Sequence, residues 1–238
     1  MTTQIDLGGI PVDVIKKDIK NIHLSVHPPT GRVRIAAPLR MNLDTIRVFA
    51  ISKLAWVKQQ QQKLREQERE APREYLERES HYFWGRRYLL KLVEHESAPR
   101  IEIRHNKMYL YARAGLSEAK RQSVVEQWYR IQLKEAIPPL IEKWQELMAV
   151  QVAAFHVRRM RTKWGSCNPV RQSILLNLDL VKKPRECLEY LVVHELAHLI
   201  EPTHNARFVS LMDQFMPKWQ FYRTELNRLP VRHEEWKY

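Results

Sequence analysis

The stretch that opens at Pro184 constrains this chain more than any other. It continues RECLEYLVVHELAHLI, with Leu191, Val192, Val193, Leu196, Ala197, Leu199 and Ile200 placing apolar side chains all round a helix. Proline is favoured at a helix start, and Glu186 and Glu189 suit the positive end of the helix dipole. A helix apolar on most faces has to be buried, so the polar residues inside it need a reason to be there. Those residues are His194, Glu195 and His198. Positions i and i+4 share a helix face, so the two imidazoles can reach one ion. Glu195 lies about 100° further round, close enough to take a proton from water without being a ligand itself. That is the division of labour a zinc hydrolase needs.

With 10 histidines in 238 residues, His-Glu-x-x-His arises by chance in about 4% of such chains. A third imidazole at one set distance is much rarer. His204 supplies it, at the His198–His204 gap of the metzincin motif, although Glu201 stands where that motif carries its glycine. Pro202 is expected to end the helix and turn the chain back, and Asn205 to cap the next helix, Ala206 to Phe215. Two other readings are a pair of hydrogen-bonded core histidines and a site whose third ligand is Glu225.

Ahead of this motif the pattern is mixed. Ile10 to Ile19, Ile22 to Val26 and Arg32 to Ala37 read as strands, with a turn at Pro28-Pro29-Thr30-Gly31. A helix is expected from Leu43 to about Glu70, ending in the solvated tract QQQQKLREQERE; apolar heptads for a coiled coil are missing. His81 to Val93 and Ile101 to Ala112 alternate, with a turn at His105-Asn106-Lys107. Ser117 to Met148 reads as a helix broken at Pro138-Pro139. Val152 to Met160 and Ser173 to Val181 read as strands joined by Trp164-Gly165-Ser166-Cys167-Asn168-Pro169. No internal repeat is visible. The fold class is therefore α+β, with a β-rich half over residues 1–115 and a metal-binding half over 116–238.

Lys and Arg number 40 against 27 Asp and Glu, a net charge of +13 that favours anionic partners. The basic residues are spread along the chain without a nucleic-acid-binding signature, so incidental DNA or RNA affinity is expected rather than sequence reading. Arg158, Arg159, Arg161, Lys163 and Arg171 are nonetheless concentrated just before the metal motif. Arg159, Arg161 and Lys163 share one face of an extended strand and are candidates to bind an anionic substrate. Trp164 and Trp219 are expected in the core, and Cys167 is expected to be structural. Two cysteines without a Cys-x-x-Cys pair exclude a thiolate zinc knuckle and give no disulfide framework. The N-terminal residues lack a signal-peptide h-region and no apolar run approaches 18 residues, so a cytoplasmic protein with no membrane span is expected.

Three blocks in order, Arg161-Thr162-Lys163-Trp164-Gly165-Ser166-Cys167, Ile174-Leu175-Leu176-Asn177, and Tyr190 to His198 followed by His204-Asn205 and Phe208, resemble the YgjP-like family. That family is related to the WLM and SprT-like minimal zinc metallopeptidases. The segment Phe83-Trp84-Gly85-Arg86-Arg87-Tyr88 extends the likeness over most of the chain. The resemblance implies a minimal zincin core, with Zn2+ held by His194, His198 and His204 and Glu195 as general base. It also implies that Ser173 to Asp179 is the sheet edge along the substrate cleft. Asn177, closing the second block, joins Arg159, Arg161 and Lys163 as a substrate-binding candidate.

Three functions are compatible with this reading. One is a zinc peptidase acting on a peptide laid along an edge strand. Another is a UTP-type nucleotide pyrophosphatase, an activity ascribed to some YgjP-like proteins, using the same site with basic residues on the phosphates. A purely structural zinc module is the third, and it has no use for an acid at Glu195.

Overall fold

The computed structural model describes residues 2–27, 30–66, 74–160 and 163–228. The chain divides into two compact units, one up to residue 70 and one from residue 71.

In the first unit, β1 (Thr2–Asp6), β2 (Pro11–Lys17), β3 (His23–His27) and β4 (Arg32–Pro38) form a sheet in the order β1-β2-β4-β3. Alternation puts Ile5, Val12, Val14, Val33 and Ile35 into a core shared with Ile46, Ala50 and Val57. The helix expected over 43–70 is two helices, α1 (Leu43–Ser52) and α2 (Leu54–Glu66). The Lys53 amide turns back to Ala50 O at 3.1 Å, a tighter bond that breaks the first helix. Within the glutamine tract, Gln61 donates to Gly31 O at 2.8 Å, so this part of the tract holds the β3–β4 turn. The end of the tract, 67–70, and Pro28-Pro29 lie outside the described residues.

The second unit opens with β5 (Ser80–Phe83), β6 (Arg86–Glu94), β7 (Arg100–Arg104) and β8 (Lys107–Ala112), in the order β5-β6-β8-β7. Its pairing repeats that of the first sheet: an antiparallel first pair, a parallel central pair and an antiparallel last pair. The repeat is one of topology, which single-sequence inspection does not detect. One face of this second sheet, with Tyr88, Leu90, Met108 and Leu110, belongs to the core that also buries the metal-motif helix. The second unit therefore takes in this sheet together with the metal-motif helix.

Next comes α3 (Glu118–Leu147), unbroken through Pro138 and Pro139. Both prolines are exposed, as are Lys134 and Glu135, whose carbonyls lose their amide partners. Water can serve those carbonyls, while Val125, Tyr129, Leu133, Ile137, Ile141 and Trp144 bury the opposite stripe. Then β9 (Ala154–Arg158), β10 (Gly165–Asn168) and β11 (Ser173–Asn177) form a sheet in the order β10-β11-β9. The residues expected to be a plain connector include β10, and the last expected strand stops at Asn177, followed by a 3-10 turn over Leu178–Lys182. The edge next to the site is thus β10, antiparallel to β11; Ser173 to Asn177 is the central strand.

Three helices close the chain: α4 (Arg185–Ile200), α5 (Ala206–Phe215) and α6 (Trp219–Arg228). Leu188, Leu191, Val192, Val193 and Leu196 of α4 are at most 4% exposed, and each such side chain contributes about 1.5–3 kcal/mol by burial. Polar ties set the helix in place. Glu189 Oε1 accepts from Lys143 Nζ at 2.8 Å and from Trp144 Nε1 at 3.0 Å on α3. At the other side of its start, the β5–β6 turn docks on the 3-10 turn, Trp84 N donating to Val181 O at 2.8 Å. Trp84 and Gly85 both have positive φ there, and a Cβ on Gly85 would sit 3.0 Å from Pro184 Cγ. The Phe83-Trp84-Gly85 segment therefore works as a rest for the start of α4. Among the described residues no helix is long and apolar enough to cross a membrane.

Candidate metal centre and active site

His194 and His198 stand one turn apart on α4, their ring centroids 4.9 Å apart. The helix ends where Glu201, the residue before Pro202, is forced into extended geometry, φ −135° and ψ 104°. A short polar turn then delivers His204. Glu201 Oε1 accepts from Thr203 N at 3.2 Å and Thr203 Oγ1 at 2.9 Å, and Asn205 caps α5 by accepting from Phe208 N at 3.0 Å. The outcome is three imidazoles whose nearest nitrogens all lie within 4.8 Å of one another, the one such group among the described residues. Phe208, fully buried, packs beneath all three, with centroids at 5.0, 4.7 and 4.7 Å.

The nitrogens converge as a metal site would need them to. His198 Nδ1 donates to Glu201 O at 3.2 Å, which leaves its Nε2 lone pair facing the group. His204 Nε2 and His194 Nε2 are 3.1 Å apart. Tetrahedral zinc with bonds of about 2.0–2.1 Å would hold its nitrogens about 3.3 Å apart. Burial, with His198, His204 and Arg223 nearby, pushes the His194 pKa down to about 3, so this ring is neutral at ordinary pH. Burial also lowers that of His198. Converging imidazole nitrogens are what a divalent ion requires, and the donor set fits one.

Glu195 is 3% exposed, and its Oε2 has no hydrogen-bond partner among the described residues. Burial raises its pKa to about 8, opposed by Lys163. The carboxylate lies against the backbone of Gly165 on β10, where an added Cβ would overlap Oε1 and sit 3.0 Å from Cδ. Here the absence of a side chain is what lets the acid and the edge strand meet.

The cleft over these groups has a volume of about 740 Å³. One wall is Lys163 to Cys167, another is Tyr190 and the metal-motif residues of α4, and a third is Trp219 and Arg223 on α6. Of the substrate-binding candidates, Lys163 is in this wall. Arg159 instead pairs with Glu126 of α3. Asn177 is buried and holds the preceding loop, donating from Nδ2 to Met160 O and Lys163 O, each at 2.9 Å. Arg161 lies outside the described residues. Glu225 is not in the histidine group; it lies near Cys187, whose thiol burial and the neighbouring acids raise to about 11. Trp219 is in the core, its Nε1 donating to Asp213 Oδ1 at 2.7 Å, whereas Trp164 is half-buried in the cleft wall. Cys167 also lines the cleft, and burial and Glu195 raise its thiol to about 11, so it is not a thiolate nucleophile.

Sequence reasoning assigns no site role to Tyr190, Gly165 or Arg223. Tyr190 precedes His194 by four residues and so shares its helix face, with ring centroids 5.8 Å apart. That signal was available. Gly165 and Arg223 reach the site through tertiary packing and leave no local pattern.

With this geometry established, the comparisons with known proteins fall into place. The family model described as YgjP-like, metallopeptidase domain, matches residues 20–229. The chain belongs to the YgjP-like metallopeptidase family. It is accordingly a metal-dependent hydrolase, and its histidine group sits in an α+β fold. No curated protein matches it. Among solved structures it is similar to the metallopeptidase zymogen of Pyrococcus abyssi abylysin, at 22% identity and a TM-score of 0.35, over 39% of this chain and 97% of that one.

Proposed function

We propose that this YgjP-like chain is a zinc-dependent peptidase, with His194, His198 and His204 as ligands and Glu195 as general base. The observation that carries the reading is the meeting of β10 with the motif helix. Among the described residues β10 is an edge strand, paired antiparallel with β11 alone, and its Gly165 backbone touches the buried Glu195 carboxylate. An extended peptide can add to that edge by main-chain hydrogen bonds, which presents its carbonyls to the histidine group. A bound ion supplies Lewis-acid chemistry there, polarising a carbonyl and acidifying water. Glu195 then takes the proton from water and returns it to the departing amine. A carboxyl with a pKa raised by burial is suited to both halves of that transfer.

A second reading, the nucleoside triphosphate pyrophosphatase, draws on a different observation. Lys163 and Arg223 both line the cleft, Lys163 acting on the Glu195 carboxylate and Arg223 standing 5.9 Å from the Trp219 ring centre. Two cations in one cleft complement a phosphate chain. The test uses zinc-loaded protein and Glu195→Gln side by side, on an unfolded protein substrate and on UTP. The peptidase reading expects the wild type to cut the protein, and the Gln variant to lose at least about a hundredfold in rate while keeping its zinc. Pyrophosphate release from UTP without protein cleavage would replace it with the second reading.

A further inference from the structure

The outward face of the sheet β5–β8 is built differently from an ordinary solvated one. Strand alternation turns Arg87 and Lys91 of β6, Arg100, Glu102 and Arg104 of β7, and Lys107, Tyr109 and Tyr111 of β8 away from the core. That face carries five cations and one acid, Glu102; the strands' other acid, Glu94, ends β6 on the opposite alternation. Glu102 offsets one of these charges, its carboxylate bridging Arg100 (3.2 Å) and Arg104 (2.5 Å) and fixing both guanidinium groups on the sheet. Between the cations the two tyrosine rings lie 6.3 Å apart and within 23° of parallel. Arg100 stands over the Tyr111 ring at 4.3 Å, and Lys91 and Arg104 each stand 5.8 Å from that of Tyr109. His95 meets Tyr111 edge-on at 6.0 Å.

We infer that this face binds single-stranded nucleic acid, with bases stacking on Tyr109 and Tyr111 and the phosphate backbone following Arg87, Lys91, Arg100, Arg104 and Lys107. Charge complementarity selects a polyanion, and the paired rings select one whose bases are free to leave their own stack. A duplex keeps its bases stacked and could use only the cations. A planar guanidinium over a ring marks the position where a base can slide in or lie on top. The face is separate from the metal cleft and independent of what that cleft hydrolyses.

The test is fluorescence anisotropy on the full chain with labelled 20-mers of dT and of U, the matching duplex, and an abasic strand of equal length, over a series of salt concentrations. Single strands should bind more tightly than duplex or abasic strand. Tyr109→Leu with Tyr111→Leu should weaken single-strand binding by about five- to a hundredfold per ring, with little change in salt slope. Tyr109→Phe with Tyr111→Phe should keep the affinity, since the rings remain. Arg100→Gln with Arg104→Gln should flatten the salt slope by about one unit or more. Circular dichroism and metal content show that each variant is folded. Equal binding of the abasic strand, a Leu pair that binds within twofold of wild type, or binding to anionic lipid vesicles in place of oligonucleotide would each overturn the inference.

Discussion

Gly165 on the edge strand lies in contact with the Glu195 carboxylate, close enough that even one methyl group would displace the acid. Alanine at position 165 therefore tests catalysis without touching a ligand. Gly165→Ala should lower kcat by about a hundredfold, as expected for a reacting group moved by about 1 Å. Metal stoichiometry by elemental analysis should stay at the wild-type value. Wild-type turnover in this variant would mean that Glu195 has room to spare.

The turn Glu201–Asn205 brings His204 Nε2 to 3.1 Å from His194 Nε2, where the two nitrogens can share a hydrogen bond or converge on one ion. His204→Ala should weaken zinc binding by more than about a hundredfold, a direct ligand counting for more than the 10–100-fold typical of its supports. Competition with a chromophoric chelator reads the affinity. Glu225→Gln should leave it unchanged, and loss of zinc in that variant would reassign the third ligand.

Burial makes the metal-free protein sensitive to pH in two opposite directions. Glu195 has its pKa raised from 4.5 to about 8 in the folded state. Below 4.5 both folded and unfolded chains hold the proton. As pH rises towards 8 only the unfolded chain has released it, so stability falls through that window. His194, lowered from 6.5 to about 3, instead loses stability as pH falls below 6.5. Glu195→Gln removes the first effect and leaves the second. Metal-stripped Glu195→Gln should therefore match wild type near pH 4.5 and exceed it by a few kcal/mol near pH 8, at about 1.4 kcal/mol per pKa unit. Urea titrations at the two pH values measure the difference, and a gap that narrows as pH rises would contradict the burial of the acid.

Asn177 is buried beneath the loop that carries Lys163, and it donates to two of that loop's carbonyls. Asn177→Ala leaves both without a donor and should cost about 1–3 kcal/mol, read as a shift in the urea midpoint. The freed loop also releases Lys163 from its place in the cleft wall, so KM should rise more than kcat falls. An unchanged midpoint would show that the loop is held by other means.

What could be read from the amino-acid order was local. The spacing of His194, Glu195 and His198 on an apolar helix fixes their relative directions through the helical repeat, and Pro202 dictates the extended Glu201 that brings His204 round. The alternation over 101–112 likewise predicts the hairpin that carries Tyr109 and Tyr111. What only the tertiary structure decided was non-local. Asp or Glu partners cannot be assigned from charge spacing, so Arg159 looked free until α3 supplied Glu126. A four-residue strand containing Gly165 has too short a pattern to be distinguished from a loop, and its pairing puts β11, the edge implied by the family resemblance, in the middle of the sheet. The prolines of α3 stayed helical because their lost bonds face water, a fact of burial that periodicity does not contain. Chain order sets which groups share a helix face or a strand face; packing sets which groups from distant segments meet, and the contact between Gly165 and Glu195 is of that second kind.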